Sequence, residues 1–261
     1  MNRPIPSNVW LGVTVECRAV KGRIGHLVEF VKNRRKGENT QMVSHDKLME
    51  RFKQFHPELV YGAKFSGFYE IPRLYKVDFI PQGIVSFEKR QKADKNQWLH
   101  FYTYDEKFEC VWNEPEKYLN DIKEFEGVIT PDFTVFRDFP FAFQIYNVYR
   151  GRALGHWWQS HGLKVIPNVR WGNKKTFGFA FEGIQKGGTV SVGSFGGITI
   201  PSNRSFFFKG FDEMLKRIQP NNIVIYGPLT DRLQSLCLSA GVRIVHFDCQ
   251  YKVSHDKAKN V

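Results

Sequence analysis

Short apolar runs alternate with amphipathic segments along the chain from about residue 97 onward. The apolar runs have the length of β-strands, and six strands are predicted at residues 98–108, 127–133, 163–171, 189–195, 222–227 and 242–248. The segments between them predict helices at residues 115–125, 140–161, 206–218 and 230–240, with a short helix or turn at 176–184. Strands that are nearly all apolar and alternate with helices are typical of a parallel sheet covered by helices.

The predicted fold class is therefore α/β, built from repeated βα units. These units could form a partial or distorted TIM-like barrel, or an open doubly wound parallel sheet. The barrel is preferred because most strand ends carry a polar residue that would point toward a shared mouth. No G-x-G-x-x-G turn follows a predicted strand and no P-loop sequence is present, which argues against a dinucleotide-binding sheet.

The first 95 residues have a less regular pattern, and they predict an irregular basic α+β segment. A strand and two helices are predicted at residues 9–16, 23–35 and 44–55, followed by loops and short strands at 59–90. The chain is divided into a basic N-terminal extension at residues 1–58, a βα-repeat domain at 59–256 and a frayed tail at 257–261.

The formal net charge is +12, and the positive excess lies mainly in the first third of the 261 residues. Residues 1–95 hold 18 lysines and arginines against 10 aspartates and glutamates. Such an excess favours nucleic acid as a partner. The candidate nucleic-acid-binding residues are Lys32, Arg34, Arg35 and Lys36. A solvated basic face without such a partner is the alternative.

Composition excludes several other classes of protein. Hydrophobic residues make up 42% of the chain, and no stretch approaches the roughly 18 apolar residues of a membrane span, so neither disorder nor a membrane partner is expected. The first seven residues lack the apolar segment of a secretory signal. The four cysteines lack the spacing of a metal site, which favours reduced thiols and a cytoplasmic location.

Polar side chains stand near the carboxyl ends of the predicted strands, where parallel α/β folds bind their ligands. The candidate catalytic residues are Asp105, Asp132, Asn168, His246 and Asp248. Asp132 and Asp248 are also candidate ligands for a divalent cofactor, Mg²⁺ or Mn²⁺, which would suit phosphodiester hydrolysis. The alternative is structural, because Asp and Asn at strand ends often cap the next helix, and His246 could be a core histidine.

The long helix predicted at 140–161 has an unusual polar face. Gln144, Asn147, Gly151 and Gly155 recur at spacings of three and four residues, so they share one side of the helix. Glycine inside a helix costs about 1 kcal/mol relative to alanine, so close approach of a strand or a ligand is expected there.

The same helix supplies candidate residues for binding a substrate or a phosphate group. They are Gln144, Asn147, Arg150 and Arg152, joined by Tyr226 at the end of a later strand. Arginine suits this role because its guanidinium can bind phosphate or carboxylate with two parallel hydrogen bonds. The alternative for the two arginines is an ion pair with Asp132 or Asp138.

Several runs of residues resemble the domain-of-unknown-function 4417 family. Its specific parts are V-I-T-P-D-F at residues 128–133 and N-V-Y-R-G-R at residues 147–152. Further matching stretches lie at residues 61–72, 98–108, 155–171, 189–197 and 222–227. The resemblance covers roughly residues 59–256 and implies no particular activity. It implies the context of accessory proteins from phages and mobile genetic elements.

Three functions follow as hypotheses. The first is a nucleic-acid-associated accessory protein of a phage or mobile element, which binds the phosphate backbone through its basic N-terminal third. The second is a metal-dependent hydrolase or nuclease at the strand ends. The third is a non-catalytic protein-binding module or an inhibitor of a host factor.

Overall fold

The computed structural model describes residues 52–249. The predictions outside these residues are the strand at 9–16, the helix at 23–35, the basic run Lys32, Arg34, Arg35 and Lys36, and the tail at 257–261. Only the end of the helix predicted at 44–55 is described, and it is a 3-10 turn, Lys53–Phe55. A second 3-10 turn, Pro57–Val60, follows it. The predicted boundaries of the N-terminal extension and the tail stay predictions.

The described strands form two parallel sheets and one small antiparallel pair, β1 (Phe65–Ser66) with β2 (Ile71–Pro72). The first parallel sheet contains β3 (Ile84–Ser86), β4 (Trp98–His100), β5 (Gly127–Ile129) and β6 (Val165–Ile166). The second contains β7 (Thr189–Gly193), β8 (Asn222–Tyr226) and β9 (Arg243–Phe247). A parallel bridge between Asn168 and Ser191 connects the two sheets.

Strands that are neighbours in each parallel sheet are also neighbours along the chain. The order does not reverse in either sheet, whereas the doubly wound alternative requires a reversal. Among the described strands β9 does not pair with β3, so these strands form no closed barrel. The six predicted strands are present in shorter form, and the α/β class with parallel sheets is confirmed.

The strand predicted at 98–108 is much shorter in the structure than in the prediction. β4 ends at His100, and the chain then forms a 3-10 turn, Asp105–Lys107, and the short helix α1 (Glu109–Asn113). Tyr104, inside the predicted strand, is 75% exposed because it lies in the loop between these elements. Asp105 therefore does not stand at a strand end.

Helices connect the strands close to where the sequence predicts them. They are α2 (Pro115–Lys123), α3 (Phe141–Ser160), the short α4 (Phe195–Thr199), α5 (Pro201–Ile218) and α6 (Asp231–Ser239). Proline suits the first turn of α2 and α5, where its missing N–H has no helical partner. The Thr230 side chain caps α6 by accepting from the Leu233 amide at 3.4 Å. No described helix is both long enough and apolar enough to cross a membrane.

Alternate strand residues contribute to different cores. One face of the first sheet packs with α1, α2 and α3 through Val85, Leu99, Val128 and Val165. One face of the second sheet packs with α5 and α6 through Val190, Val192, Ile223 and Ile225. The opposite faces share a single cluster that includes Trp98, Ile129, Ile166 and Val224. The side of the strands that carries this shared cluster is called the inner face below.

The glycine face of α3 lies directly against the chain that follows β5. A Cβ atom at Gly155 would lie 2.7 Å from Thr130 Cγ2, whereas one at Gly151 would lie 3.4 Å from the Pro131 carbonyl oxygen. Thr130 is buried, and its hydroxyl accepts from the Asn168 amide at 2.8 Å. The close approach expected from the sequence is therefore made by the protein's own backbone and side chains.

The two glycines of α3 are expected to respond differently to alanine. Gly155→Ala should destabilise the fold by about 1 kcal/mol, because overpacking by about 1–3 kcal/mol exceeds the gain of about 1 kcal/mol in helix propensity. Gly151→Ala, where the new methyl has room, should be neutral or stabilising by up to about 1 kcal/mol. Urea unfolding monitored by circular dichroism measures both values, and equal effects of the two substitutions would contradict this packing.

Candidate functional site

A network of polar side chains joins the segments just after β4, β5 and β6 to Ser191 in the middle of β7. Asn168 Nδ2 donates to Asp132 Oδ1 at 2.7 Å, and the Tyr102 hydroxyl donates to Asn168 Oδ1 at 2.9 Å. Ser191 Oγ lies 2.5 Å from the Tyr102 oxygen. Asp132, Asn168 and Ser191 are all buried. The strand order brings them together because the segments that follow neighbouring parallel strands lie at one edge of the sheet, where Asn168 also pairs with Ser191.

Arg170 completes this network from the cleft side. Its Nη1 donates to Asp132 Oδ2 in a short ion pair, so each oxygen of the Asp132 carboxylate has a donor. Desolvation raises the pKa of Asp132 above its ordinary value, while the Arg170 charge and the Asn168 amide lower it. The Arg170 side chain is 34% exposed, and it makes no other hydrogen bond to the described residues. Its remaining N–H groups are therefore available to a ligand.

Aromatic stacking supports the network from the inner face. The Tyr102 and Tyr226 rings stack with centroids 4.7 Å apart, and the His100 ring lies 4.7 Å from the Tyr226 ring. Burial, followed by the Lys89 charge, lowers the pKa of His100 to about 3, so its imidazole is neutral. Its Nδ1 accepts from the Tyr102 amide at 3.2 Å, which holds the tyrosine backbone in place. Desolvation raises the pKa of Tyr102 well above its ordinary value, so its hydroxyl keeps its proton.

A cleft of about 290 Å³ opens beside the network. Its polar lining comes from Asp132, Arg137, Asp138, Arg170 and Asn203. Its apolar walls include Phe136, Trp171, Phe206 and Phe207, and three of its glycines, Gly193, Gly196 and Gly197, follow or end β7. The cleft therefore combines two guanidinium groups with aromatic rings.

Asp105 supports the site without entering the cleft. Its carboxylate accepts from the Thr134 amide at 3.0 Å and from the Thr134 hydroxyl at 2.7 Å. These bonds fix the chain that follows Asp132. The Asp105 charge contributes to the raised pKa of Asp132, so the two carboxylates interact electrostatically.

The predicted binding residues Gln144, Asn147 and Arg150 have partners within the protein. Gln144 Nε2 donates to the Phe139 carbonyl at 2.7 Å, and Asn147 Nδ2 donates to the Thr134 carbonyl at 2.6 Å. Arg150 pairs with Glu109 through Nη1, and its Nη2 donates to Asn147 Oδ1 at 2.8 Å. These bonds attach α3 to α1 and to the chain after β5. The alternative role, an ion pair, is found for Arg150, but its carboxylate comes from Glu109 on α1 rather than from Asp132 or Asp138.

Arg152 and Tyr226 also lie apart from the cleft lining. The buried Arg152 guanidinium donates to the carbonyl groups of Asn168 at 2.9 Å, Ala180 at 3.2 Å and Glu182 at 3.2 Å. Burial lowers the pKa of Arg152 to about 10. This arginine therefore joins α3 to two backbone segments, at Asn168 and at residues 180–182, while Tyr226 contributes its stacked ring.

The predicted metal pair of Asp132 and Asp248 does not meet at the cleft, which Asp132 lines and Asp248 does not. His246 and Asp248 are exposed residues at the end of β9, with His246 Nε2 2.8 Å from the Gly227 carbonyl oxygen and 3.8 Å from Asp248 Oδ1. Neither residue lines the cleft. Within residues 52–249, no group of three or more His, Cys, Asp or Glu side chains could hold a metal ion. The predicted Mg²⁺ or Mn²⁺ site therefore has no such cluster behind it and stays a prediction.

The sequence does not predict Tyr102, Ser191 or Arg170 as site residues. Arg170 carries a usable signal, since it lies two residues after Asn168 and an extended chain places such residues on one side. The sequence does not indicate Tyr102 as a site residue, because the predicted strand continues through it to residue 108. Arg137 and Asn203 carry no signal, since a loop and a helix that are distant in sequence bring them to the cleft.

The Tyr102 hydroxyl is expected to stabilise the network. Tyr102→Phe should lower the free energy of unfolding by about 1–2 kcal/mol, because it leaves the buried Asn168 oxygen without its donor. Tyr104→Phe is the matched control, since its ring is 75% exposed, and it should change stability by less than about 0.5 kcal/mol. Urea unfolding measures both, and a Tyr102→Phe variant as stable as the control would contradict the network.

Removal of the Arg170 charge should make stability more dependent on pH. In Arg170→Gln the folded-state pKa of Asp132 should rise further, so the lost stability is small near pH 4 and grows as pH rises. At pH 7 a loss of about 2 kcal/mol is expected, below the 3–5 kcal/mol of a fully buried pair because Arg170 is partly exposed. Lys216→Gln removes an exposed ion pair with Asp212 and should show little change. A loss of equal size at pH 4 and pH 7 would contradict the pairing.

Comparison with known proteins relates this chain to phage proteins. The Gene 1 protein of Mycobacterium phage L5 is 39% identical to it over 168 residues, which are 63% of this chain and 73% of that protein. The Gene 1 protein of Mycobacterium phage D29 is 36% identical over 168 residues, which are 63% of this chain and 62% of that protein. Both relatives support the phage association expected from the sequence. No solved structure matches the chain.

A family model described as a domain of unknown function, DUF4417, matches residues 63–247. This range contains every parallel strand found within residues 52–249 and the whole cleft. The match covers more than half of the sequence, so the resemblance expected from the sequence is confirmed, and the chain belongs to the DUF4417 family.

Proposed function

We propose that this chain is a nucleic-acid-associated accessory protein of phages or other mobile genetic elements, acting in the cytoplasm. Its net charge of +12 supports an electrostatic attraction to phosphate, and the excess is greatest in the first third of the sequence. The similarity to two mycobacteriophage proteins supports the phage context.

The observation that carries this proposal is a row of exposed aromatic rings that begins at the cleft, where Phe136 is part of the lining. Phe136, Phe139 and Phe143 contact one another in edge-to-face fashion, with centroids 5.2 Å and 5.4 Å apart, and they are 53%, 39% and 42% exposed. The Arg137 guanidinium lies 4.8 Å from the centre of the Phe206 ring. Exposed aromatic rings beside cationic groups are typical of proteins that bind single-stranded nucleic acid, because bases stack on the rings.

The proposal includes a partial barrel as the scaffold of the site. The chain-order arrangement of the strands, the Asn168–Ser191 bridge and the inner cluster shared by both sheets support it. The stacking of Tyr102, after β4, on Tyr226, at the end of β8, also supports strong curvature. In such a barrel the cleft lies at the carboxyl-end mouth.

A protein-binding module is the second candidate function. The same exposed phenylalanines favour it, since contiguous apolar surface often marks a site of protein association. The presence of a cleft with two arginines favours a nucleic acid over a protein, so nucleic acid remains the first proposal.

Binding of single-stranded DNA or RNA is expected to be salt-dependent and to require the aromatic row. Fluorescence anisotropy with a labelled oligonucleotide should show weaker binding as salt rises from about 50 to about 200 mM. Phe143→Ala should weaken binding about fivefold or more, since stacking of one base contributes about 1–3 kcal/mol. Affinity no better than about 1 mM at low salt would exclude the proposal.

Tyr75→Ala is the matched control for loss of an exposed aromatic ring. Tyr75 is 63% exposed, and it is held through its backbone by Gln159 near the end of α3. Phe143 lies near the start of that helix, so the two sites are about 24 Å apart along it. Equal losses of affinity in both variants would argue against a binding surface at the cleft.

A further inference from the structure

We propose that the cleft beside the Asp132 network binds one nucleotide, with its phosphate monoester at Arg137 and Arg170 and its base against the aromatic wall. The inference rests on the proposed function for its choice of a nucleotide among anionic aromatic ligands. The inference adds a binding site for one nucleotide, formed by residues within 52–249. The basic N-terminal third is expected to attract phosphate groups only through its net charge.

Both arginines are held in position before a ligand arrives. Arg170 is fixed by Asp132, which is itself fixed by Asn168. Arg137 Nη1 donates to Asn203 Oδ1 at 3.1 Å and to the Ser202 carbonyl oxygen at 3.3 Å. A guanidinium that is fixed by one edge can offer its other N–H groups to a phosphate, and less side-chain entropy is lost on binding.

The acidic residues of the lining leave these donors effective. Both Asp132 oxygens already accept hydrogen bonds, and the carboxylate is neutralised by Arg170. The Asp138 side chain is 86% exposed, so water screens its charge, and its Oδ2 lies 3.8 Å from Arg137 Nε. The four charged side chains of the lining sum to zero formal charge, so a phosphate would be held by the remaining N–H groups of the two guanidiniums rather than by a net positive charge.

The aromatic part of the cleft lining suits a planar ring. Trp171 packs against Phe207 with ring centroids 5.5 Å apart, and Phe206 is 37% exposed beside them. Gly196 lines the same cleft without a side chain, so a ligand can approach the backbone there. A Cβ atom at Gly196 would meet no described atom within 4 Å, which shows that open space adjoins this residue.

The size of the cleft favours one nucleotide over a longer strand. Its volume of about 290 Å³ lies at the lower end of the roughly 300–1,000 Å³ range of small-molecule pockets. The required chemistry, a phosphate monoester on a nucleoside, can come from a free nucleoside monophosphate or from the 5′-phosphorylated end of a strand. The experiment distinguishes these two sources.

Two variants of the full chain test the site in different ways. Gly196→Leu fills open space at the cleft without removing a charge, and Gly178→Leu is its control, because Gly178 also has no described atom within 4 Å but does not line the cleft. Arg170→Lys keeps a positive charge beside Asp132 and removes the planar fork. Thermal unfolding confirms that each variant folds.

Calorimetric titration with nucleoside monophosphates, and with nucleosides lacking phosphate, measures binding to the free ligand. We expect the monophosphate to bind more tightly than its nucleoside, with affinity reduced about ten- to hundredfold by Gly196→Leu and Arg170→Lys. Gly178→Leu should bind as the wild type does. If nucleoside and monophosphate bind equally, or the two cleft variants retain wild-type affinity, the inference is overturned.

Matched oligonucleotides with a 5′-phosphate or a 5′-hydroxyl test the strand end. Tighter binding of the phosphorylated strand, lost in Gly196→Leu, supports the inference even where free nucleotides do not bind. If free nucleotides do not bind and the two strands bind equally, the cleft is not a nucleotide site. Salt-dependent binding of the 5′-hydroxyl strand would still support the proposed function, whereas its absence would count against that function alone.

Discussion

The ion pair between Asp132 and Arg170 is the interaction on which the site depends. A carboxylate buried at the ends of parallel strands is costly unless each oxygen has a donor. Asn168 supplies one donor and Arg170 supplies the other. This requirement fixes the Arg170 side chain at the wall of the cleft and ties it to the Tyr102 hydroxyl through Asn168. The orientation of a cleft residue is thus set by the electrostatics of a residue behind it.

The chain after β5, like the Asp132 carboxylate, is fixed by several hydrogen bonds. Asp105 accepts two hydrogen bonds from Thr134, Asn147 donates to the Thr134 carbonyl, and Arg150 joins Asn147 to Glu109. Close contact with the glycine face of α3 leaves this segment little room to move. The position of Asp132 is therefore determined by helix packing as well as by its own partners.

Sequence periodicity could predict the strands and helices because burial on both faces of a parallel sheet leaves continuous apolar runs. It also identified Asp132 and Asn168, since each lies just beyond a strand and neighbouring parallel strands bring such positions together. It failed for Asp105 because alternation continues past His100, although the chain leaves the sheet there. Asp248 does follow its strand as predicted, but it does not line the cleft, because a position at a strand end does not say which strand ends surround a cleft.

The roles of the four predicted polar residues on α3 show why residue type alone does not identify a binding site. Arginine, asparagine and glutamine can bind a ligand or satisfy buried carbonyl and carboxylate groups, and burial decides between these roles. Arg150 and Arg152 are both more than nine-tenths buried, and each has protein acceptors. Arg170 differs because one edge of its guanidinium satisfies a buried carboxylate while about a third of the side chain reaches solvent. A guanidinium divided between protein and solvent in this way can bind an anion without first breaking the contact that holds it.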